Sequence, residues 1–176
     1  MEPLSDQQWT DLFLACRRTA WHLETHDSYG VDDEKGRYSR FLATGQRDHG
    51  AEALERRHWL DLMRAVTGAG LQVRRARLIS EPLNDYMRFC YAGTQINIDA
   101  GEDVRWLPRR GASRLALPGN DFWLLDGERV LFNHFTGEGR SAGHEQATDD
   151  EAVRLCRTAF EAVWASAIPH AAYHPA

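Results

Sequence analysis

The sequence predicts an α/β domain in which a mixed sheet of about four or more strands is flanked by helices. Residues 71–79 alternate apolar residues with arginines, as a strand with one buried face does. Residues 119–135 form two apolar runs joined at Asp126-Gly127, a pair that supplies the positive φ angles of a tight hairpin turn. Apolar residues at helical spacing precede and follow these strands, so the chain uses both kinds of element.

Helices dominate the prediction for the first 50 residues. Ser5 and Gln8 have the spacing of a capping box. Apolar residues then recur at helical spacing and predict a helix over 6–24: Trp9, Phe13, Cys16, Ala20 and Leu23. A turn over 26–30, a weaker helix over 31–43 and a polar loop follow. We therefore expect residues 1–50 to form a helical extension on an α/β core that spans residues 51–168.

The core elements follow one another without a repeat or a linker, so we expect a single domain over residues 1–176. Gly68 and Gly70 end its first helix, and Asp149 or Asp150 caps its last one. The predicted elements are a helix over 51–67, a strand over 71–79, a helix over 83–98, a short strand over 104–107, a basic loop over 109–118, the hairpin, a glycine-rich loop over 136–148, a helix up to residue 167 and a tail.

Composition narrows the classes of function. A net charge of −5 and a pI of about 5.9 argue against a general affinity for nucleic acid or for an anionic membrane. The sequence has neither a signal peptide pattern nor an apolar run long enough to span a bilayer, so we expect a cytoplasmic protein without membrane contact. The three cysteines are far apart and predict buried free thiols.

The outer ends of the predicted hairpin hold the first candidate site. In a hairpin Asn120 and Asp121 come beside Asn133 and His134, so two amides, a carboxylate and an imidazole meet at one edge of the sheet. A carboxylate that orients an imidazole is a common acid–base arrangement, which makes Asp121 and His134 the candidate catalytic pair. In the structural alternative Asp121 caps a turn and His134 binds a backbone carbonyl.

A second group of polar residues follows the strand at 71–79. Ligands often bind at the carboxyl ends of strands in open α/β sheets, where Glu81, Asp85, Tyr86 and Arg88 are expected. In the alternative, Asp85 and Arg88 simply pair on one face of a helix. Two further residues complete the set of expected ligand contacts: Arg105 and Trp123.

The sequence gives no firm metal or cofactor pattern, and neither is expected. Asp121, His134, His144 and Glu145 match no known ligand spacing, and His22 with His26 is better explained as a solvated helix end. Solvated strand faces likewise explain the arginine clusters around residues 74–77 and 105–114.

Three long motifs resemble an actinobacterial family of uncharacterised proteins. They are SEPLNDY at 80–86, AGEDVRWLP at 100–108 and LPGNDFW at 117–123. The resemblance covers nearly the whole chain. It implies an actinomycete protein that is encoded near a helix-turn-helix regulator, and it implies no activity.

The order of elements is also distantly similar to half of a phospholipase-D-like domain. In that family the hairpin carries a His-x-Lys motif followed by an Asp. If Asp126 corresponds to that Asp, Gly119 and Asp121 stand in the places of the His and the Lys. Neither residue supplies an imidazole nucleophile or a cation for phosphate, so the resemblance implies a degenerate, non-catalytic relative.

The sequence thus favours a non-catalytic regulatory domain that binds a small ligand or a partner and acts with a helix-turn-helix regulator. The alternative is a small enzyme of specialised metabolism that uses Asp121 and His134. A third hypothesis is a subunit that only packs on such a regulator. A homodimer stays open, and direct binding of nucleic acid is not expected.

Overall fold

The computed structural model describes residues 2–30 and 34–175, which form a mixed eight-stranded sheet with helices on both faces. The strands are β1 (Glu2–Leu4), β2 (Thr19–Glu24), β3 (Gln72–Ile79), β4 (Asp103–Pro108), β5 (Asp121–Leu125), β6 (Arg129–Phe135), β7 (Ser141–Ala147) and β8 (Ile168–Pro169). The helices are α1 (Asp6–Ala15), α2 (Lys35–Thr44), α3 (His49–Glu55), α4 (Arg57–Gly68), α5 (Asp85–Ala92), α6 (Thr94–Asp99) and α7 (Asp150–Ser166).

The strand order is β1-β7-β6-β5-β2-β3-β4-β8. The neighbours β2, β3 and β4 run parallel, and the remaining pairs are antiparallel. The predicted α/β class, the strand over 71–79 and the hairpin are therefore confirmed. Asp126 and Gly127 have φ angles of 52° and 70°, as the hairpin turn requires.

The prediction of one helix over residues 6–24 is wrong in its second half. Helix α1 ends at Ala15, and residues 19–24 form β2 in the middle of the sheet. The helical spacing misled because β2 buries polar side chains: His22 and Glu24 face inward beside Ala20. Because β2 is covered on both faces, its residues do not show the apolar/polar alternation by which a strand is recognised in a sequence.

Other predicted boundaries need smaller corrections. The helix over 51–67 is divided at Arg56 into α3 and α4, and the helix over 83–98 is divided at Gly93 into α5 and α6. The weaker helix begins at Lys35, whereas the predicted residues 31–33 lie outside the described part of the chain. The last helix is confirmed, with Asp149 as its N-cap.

The predicted glycine-rich loop over 136–148 contains strand β7, which pairs with β6 and β1. Its residues Ala142, Gly143 and His144 show no apolar alternation, and the backbone hydrogen bonds to β6 hold it in the sheet. Part of the predicted tail similarly pairs with β4 as the short strand β8. These pairings explain why the sheet has eight strands.

The two faces of the sheet differ in chemistry. One face is apolar and packs against α7 through residues such as Leu23, Phe122 and Phe160. The other face is covered by helices α1 and α4–α6 through two separate apolar clusters, which include Phe13 and Leu60 in one and Phe89 and Trp106 in the other. Charged side chains lie on the sheet between these two clusters. Within the described residues no helix has the length and apolar character needed to cross a bilayer.

Candidate ligand site

A cavity of about 350 Å³ lies between the charged face of the sheet and the helices that cover it. Side chains repeat at every second position along the strands, so neighbouring strands present a continuous row to this cavity. The row consists of His144 on β7, Asn133 on β6, Asp121 and Trp123 on β5, His22 and Glu24 on β2, and Arg75 and Arg77 on β3. Helices add Trp9, Arg56, Trp59, Tyr86, Cys90 and Asn97.

Glu24 is the centre of a buried ion network on the floor of the cavity. Arg75 Nη1 donates to Glu24 Oε1, and Arg77 Nε lies 2.8 Å from Glu24 Oε2. Arg75 also donates through Nε to Glu102 Oε2 at 2.8 Å. Burial alone raises the pKa of Glu24, but the charges of Arg77, Arg75 and His22 outweigh it and hold that pKa well below the ordinary value. Glu24 is therefore ionised at neutral pH.

His22 is held in place on all sides. Its Nδ1 lies 2.8 Å from the carbonyl oxygen of Phe122, which can only accept, so Nδ1 carries the hydrogen. Its Nε2 lies 3.2 Å from Glu24 Oε1, and its ring stacks on Trp123 with centroids 4.3 Å apart and planes at 3°. Because both nitrogens are engaged, this imidazole is not free to take a proton from a bound molecule.

Asp121 is 1% exposed, and four groups approach its carboxylate. The N–H of Thr25 and its hydroxyl donate to Oδ1 at 2.9 and 2.7 Å, His26 Nδ1 lies 3.1 Å from Oδ1, and the Tyr29 hydroxyl donates to Oδ2. Burial, followed by the charges of Glu24 and Asp121, raises the pKa of Tyr29 well above its ordinary value. Asp121 thus fastens the segment that follows β2 to the sheet.

The structure does not bring His134 to Asp121. Asp121 lies opposite Asn133, so the next residue along β6 faces the other side of the sheet, where His134 Nε2 is 3.1 Å from Glu145 Oε2. Asn133 faces the cavity, and its Oδ1 lies 2.9 Å from His144 Nδ1. The expected acid–base pair is therefore not formed. Asp121 instead accepts from the backbone N–H of Thr25, just ahead of the predicted turn. Among the described residues the partner of the His134 ring is the Glu145 carboxylate and not a backbone carbonyl.

Of the ten predicted site residues, the cavity brings together Tyr86, Asp121, Trp123 and Asn133. The others lie elsewhere. Glu81 accepts a hydrogen bond from the Tyr173 hydroxyl at 2.7 Å, and Asp85 and Arg88 form an exposed pair at 3.7 Å, as the structural alternative holds. Two residues remain. Asn120 lies at the start of the hairpin, and Arg105 packs on the ring of Trp164 in α7.

Sequence reasoning missed most of the charged residues of the cavity. His22 was assigned to a solvated helix end, and Arg75 and Arg77 to a solvated strand face. The available signal was the spacing of two in His22-x-Glu24 and in Arg75-x-Arg77, since two such patterns on adjacent strands can pair their charges. This signal is useful only when residues 19–24 are recognised as a strand, which the sequence analysis did not predict.

The cavity offers little for metal binding or nucleophilic chemistry. The described residues contain no group of three or more His, Cys, Asp or Glu side chains that could hold a metal ion. Burial raises the pKa of the Cys90 thiol, and the Arg77 charge only partly offsets this. Cys90 is consequently protonated and a poor nucleophile at neutral pH.

The fold of the chain is similar to that of solved structures. Nuc from Salmonella typhimurium, a phospholipase D family member, shares 10% identity over 91% of this chain and 86% of its own chain, with a TM-score of 0.52. NucT from Helicobacter pylori shares 10% identity over 93% and 89% of the two chains, with a TM-score of 0.50. At this identity the likeness concerns the fold, and the predicted phospholipase-D-like fold is confirmed.

The archaeal chromatin protein TrmBL2, whose structure shows a mode of DNA binding, shares 13% identity with a TM-score of 0.49. The likeness covers 92% of this chain and 48% of TrmBL2, so the chain spans about half the length of that protein. No curated protein is detectably similar in sequence. A family model, described as a domain of unknown function (DUF6879), matches residues 7–175, and the chain therefore belongs to that family.

Proposed function

We propose that this chain is a non-catalytic ligand-binding domain whose site is the cavity between the sheet and helices α1 and α4–α6. The observation that carries the proposal is the row of buried ionised side chains on its floor, with Glu24 between Arg75 and Arg77. A buried ion network is a costly way to stabilise a core, since well-packed apolar residues do it as well or better. Its retention next to a cavity of about 350 Å³, a size typical of small-molecule sites, supports a role in recognition.

The same side chains support binding without catalysis. If Asp126 corresponds to the Asp of the phospholipase-D-like motif, Gly119 and Asp121 stand in the places of its His and Lys. The Asp121 carboxylate is moreover occupied by Thr25, His26 and Tyr29. The cavity-lining thiol has a raised pKa, and both nitrogens of His22 are engaged. Cys90 is thus a poor nucleophile, and His22 is not available as a general base.

The regulatory part of the proposal rests on the family resemblance, which implies a helix-turn-helix regulator as the partner. Helices cover the cavity, so a bound ligand would favour one packing arrangement of these helices over others. A partner that binds this arrangement more tightly would respond to the ligand. Co-purification of the chain with a helix-turn-helix protein from its own host, with and without small molecules from a cell extract, tests this part.

Native mass spectrometry after incubation with an extract of small molecules tests ligand binding. Asn133→Trp fills the cavity from β6, whereas His134→Trp, one residue on, points away from it and serves as the matched control. We expect a bound mass on the wild type and on His134→Trp and none on Asn133→Trp. The absence of any bound mass on the wild type would contradict the proposal, and chemical conversion of the bound molecule would contradict its non-catalytic part.

One observation favours the enzyme alternative with a different imidazole. Asp121 is buried against His26, whose ring is 40% exposed, so a carboxylate orients an imidazole that solvent reaches. An acid–base enzyme would act through His26 and not through His134. Loss of turnover in His26→Ala with an unchanged melting temperature, on a substrate found by the extract experiment, would support this alternative.

A further inference from the structure

We infer that the cavity binds a planar aromatic molecule that carries one anionic group, with the acid at Arg56 and the ring beside Trp9, Trp59 and Trp123. The inference rests on the proposed ligand-binding function and names the class of ligand. The shared chemistry is an aromatic acid, either a carboxylate or a phosphate monoester.

Two kinds of side chain meet in the cavity. Trp123 lies on β5, and two indoles from the helices approach it: its ring centroid is 6.1 Å from those of Trp9 and of Trp59, which lie 6.2 Å from each other. From β3, the guanidinium carbon of Arg75 lies 5.5 Å from the centroid of the Trp123 ring. The indole cluster and the cationic groups are thus direct neighbours.

Arg56 stands out among the arginines of this region, because it donates a hydrogen bond to a neutral side chain. Its Nη2 donates to Asn97 Oδ1 at 2.8 Å, and no carboxylate of the described residues lies within 4 Å of it. The neighbouring arginines all face carboxylates: Arg37 faces Glu34 and Glu55, Arg47 faces Glu52, and Arg75 and Arg77 face Glu24. An anionic ligand would supply the missing countercharge.

The electrostatics around Arg56 agree with this geometry. Burial, together with the charges of Arg37 and Arg75, lowers the pKa of Arg56 to about 10. Glu102 and Glu34 act in the opposite direction without outweighing this effect, so an anion placed beside Arg56 would supply the close countercharge that this guanidinium lacks.

The unused hydrogen-bonding capacity points to an acceptor on the ligand. The buried indole N–H of Trp9 has no partner, and Arg77 Nε faces Glu24 Oε2 without hydrogen-bond geometry. The carboxylate of Glu102, by contrast, accepts from Arg75, from Asn97 at 2.7 Å and from Trp59 at 3.3 Å. Glu24 Oε2 also lacks a hydrogen bond, but it already faces Arg77 Nε at 2.8 Å, so the Trp9 N–H is the donor left for an acceptor on the ligand.

The volume limits the size of the ligand. About 350 Å³ lies at the small end of the roughly 300–1,000 Å³ range of ligand pockets. One or two fused rings with a single acidic group fit this space, whereas a dinucleotide or an oligonucleotide does not.

Isothermal titration of the full chain with four probes of equal ring type tests the inference. Indole-3-acetate and indoxyl phosphate are anionic, indole-3-ethanol is neutral and tryptamine is cationic. We expect at least one anionic probe to bind tenfold or more tightly than the neutral probe, and tryptamine to bind most weakly. The order of the two anionic probes identifies the acid.

Arg56→Gln should remove the preference for the anionic probe, while Arg57→Gln, a change at the exposed neighbour that pairs with Asp61, should leave it intact. Should Arg56→Gln unfold the chain, Arg56→Met, which keeps a long unbranched side chain and removes the charge, should remove the same preference. Equal binding of all probes, a preference for tryptamine, binding of none at millimolar concentration, or an unchanged preference in both variants would overturn the inference. A non-aromatic or cationic mass in the extract experiment would overturn the ligand class and leave the binding function standing.

Discussion

Asp126, in the turn between β5 and β6, accepts a hydrogen bond from the backbone N–H of Thr19 at 3.0 Å, so the hairpin turn holds the first residue of β2. The same carboxylate accepts from the backbone N–H groups of Arg17 and Arg18, the shortest at 2.7 Å. Residues more than 100 positions apart in sequence are thereby joined, and β2 is placed between β3 and β5.

We expect Asp126→Asn to lower the free energy of unfolding by about 1–2 kcal/mol, because charge-assisted bonds to backbone N–H groups are lost. Asparagine tolerates the φ of 52° at this position, so the variant removes the charge without adding backbone strain. Glu128→Gln, which breaks only the exposed pair with Arg18, is the control and should cost less than about 0.5 kcal/mol. Urea denaturation measures both, and equal effects would contradict the assignment.

The pH dependence of the Asp126 effect has a definite sign. Burial alone raises the pKa of Asp126, but the N–H groups of Thr19, Arg17 and Arg18 outweigh it and lower that pKa below its ordinary value of 3.8. A lowered folded-state pKa stabilises the fold above the ordinary value and loses that effect as the pH falls through the folded value. The stability difference between wild type and Asp126→Asn should therefore be constant above about pH 5 and shrink below 3.8.

Tyr29→Phe should lower the free energy of unfolding by about 1–3 kcal/mol, since the variant removes a donor from the buried carboxylate of Asp121. Tyr38→Phe removes a hydroxyl for which the described residues provide no hydrogen-bond partner, so it should cost under about 0.5 kcal/mol. Thermal and urea denaturation compare the pair. A Tyr38 effect as large as that of Tyr29 would show that the hydroxyl of Tyr29 has no special role.

Glu24→Gln should be the most damaging single change on the cavity floor, at about 3–5 kcal/mol, because Arg75 and Arg77 would be left buried with less countercharge. Glu138→Gln, which affects an exposed pair with Arg140, provides a matched control with little expected effect. Denaturation curves at neutral pH provide the comparison. If Glu24→Gln is as stable as Glu138→Gln, the ion network does not contribute to folding.

The thiols should react slowly in the folded protein. Burial, with a contribution from Asp126, raises the pKa of Cys16 from 9.0 to about 11, and burial raises that of Cys156 to about 12. At pH 8 the Cys16 thiolate is then roughly a hundredfold rarer than in an unperturbed cysteine, and the labelling rate should rise about tenfold per pH unit. Mass spectrometry after iodoacetamide treatment measures this, and rapid labelling of the native chain at pH 8 would contradict it.

Local signals predicted the elements whose chemistry is visible in neighbouring residues. The Asp126-Gly127 turn, the alternation over β3 and the Asp149 cap of α7 each depend on residues close in sequence, and all three are confirmed. Strand β2 was missed because His22 and Glu24 take inward positions that a strand normally gives to apolar residues. The negative charge of Glu24 is stabilised by Arg75 and Arg77, which the sequence places about 50 positions away.

The candidate site shows the same division. Asp121, Trp123 and Asn133 were found because one hairpin holds them together, but His134 was expected beside Asp121 although the strand alternation turns it to the other face. Arg56 and Asn97 belong to different helices and meet only where α4 and α6 pack on the sheet.

Short-range signals predict the α/β class, the hairpin with its tight turn, the strand over 71–79 and the last helix, because propensity, periodicity and capping act over a few residues. Packing between distant segments makes residues 19–24 a central strand and buries a row of charged side chains on one face of the sheet. Burial of a charge is favourable only once its partner is in place, and the partners of Glu24 come from other strands.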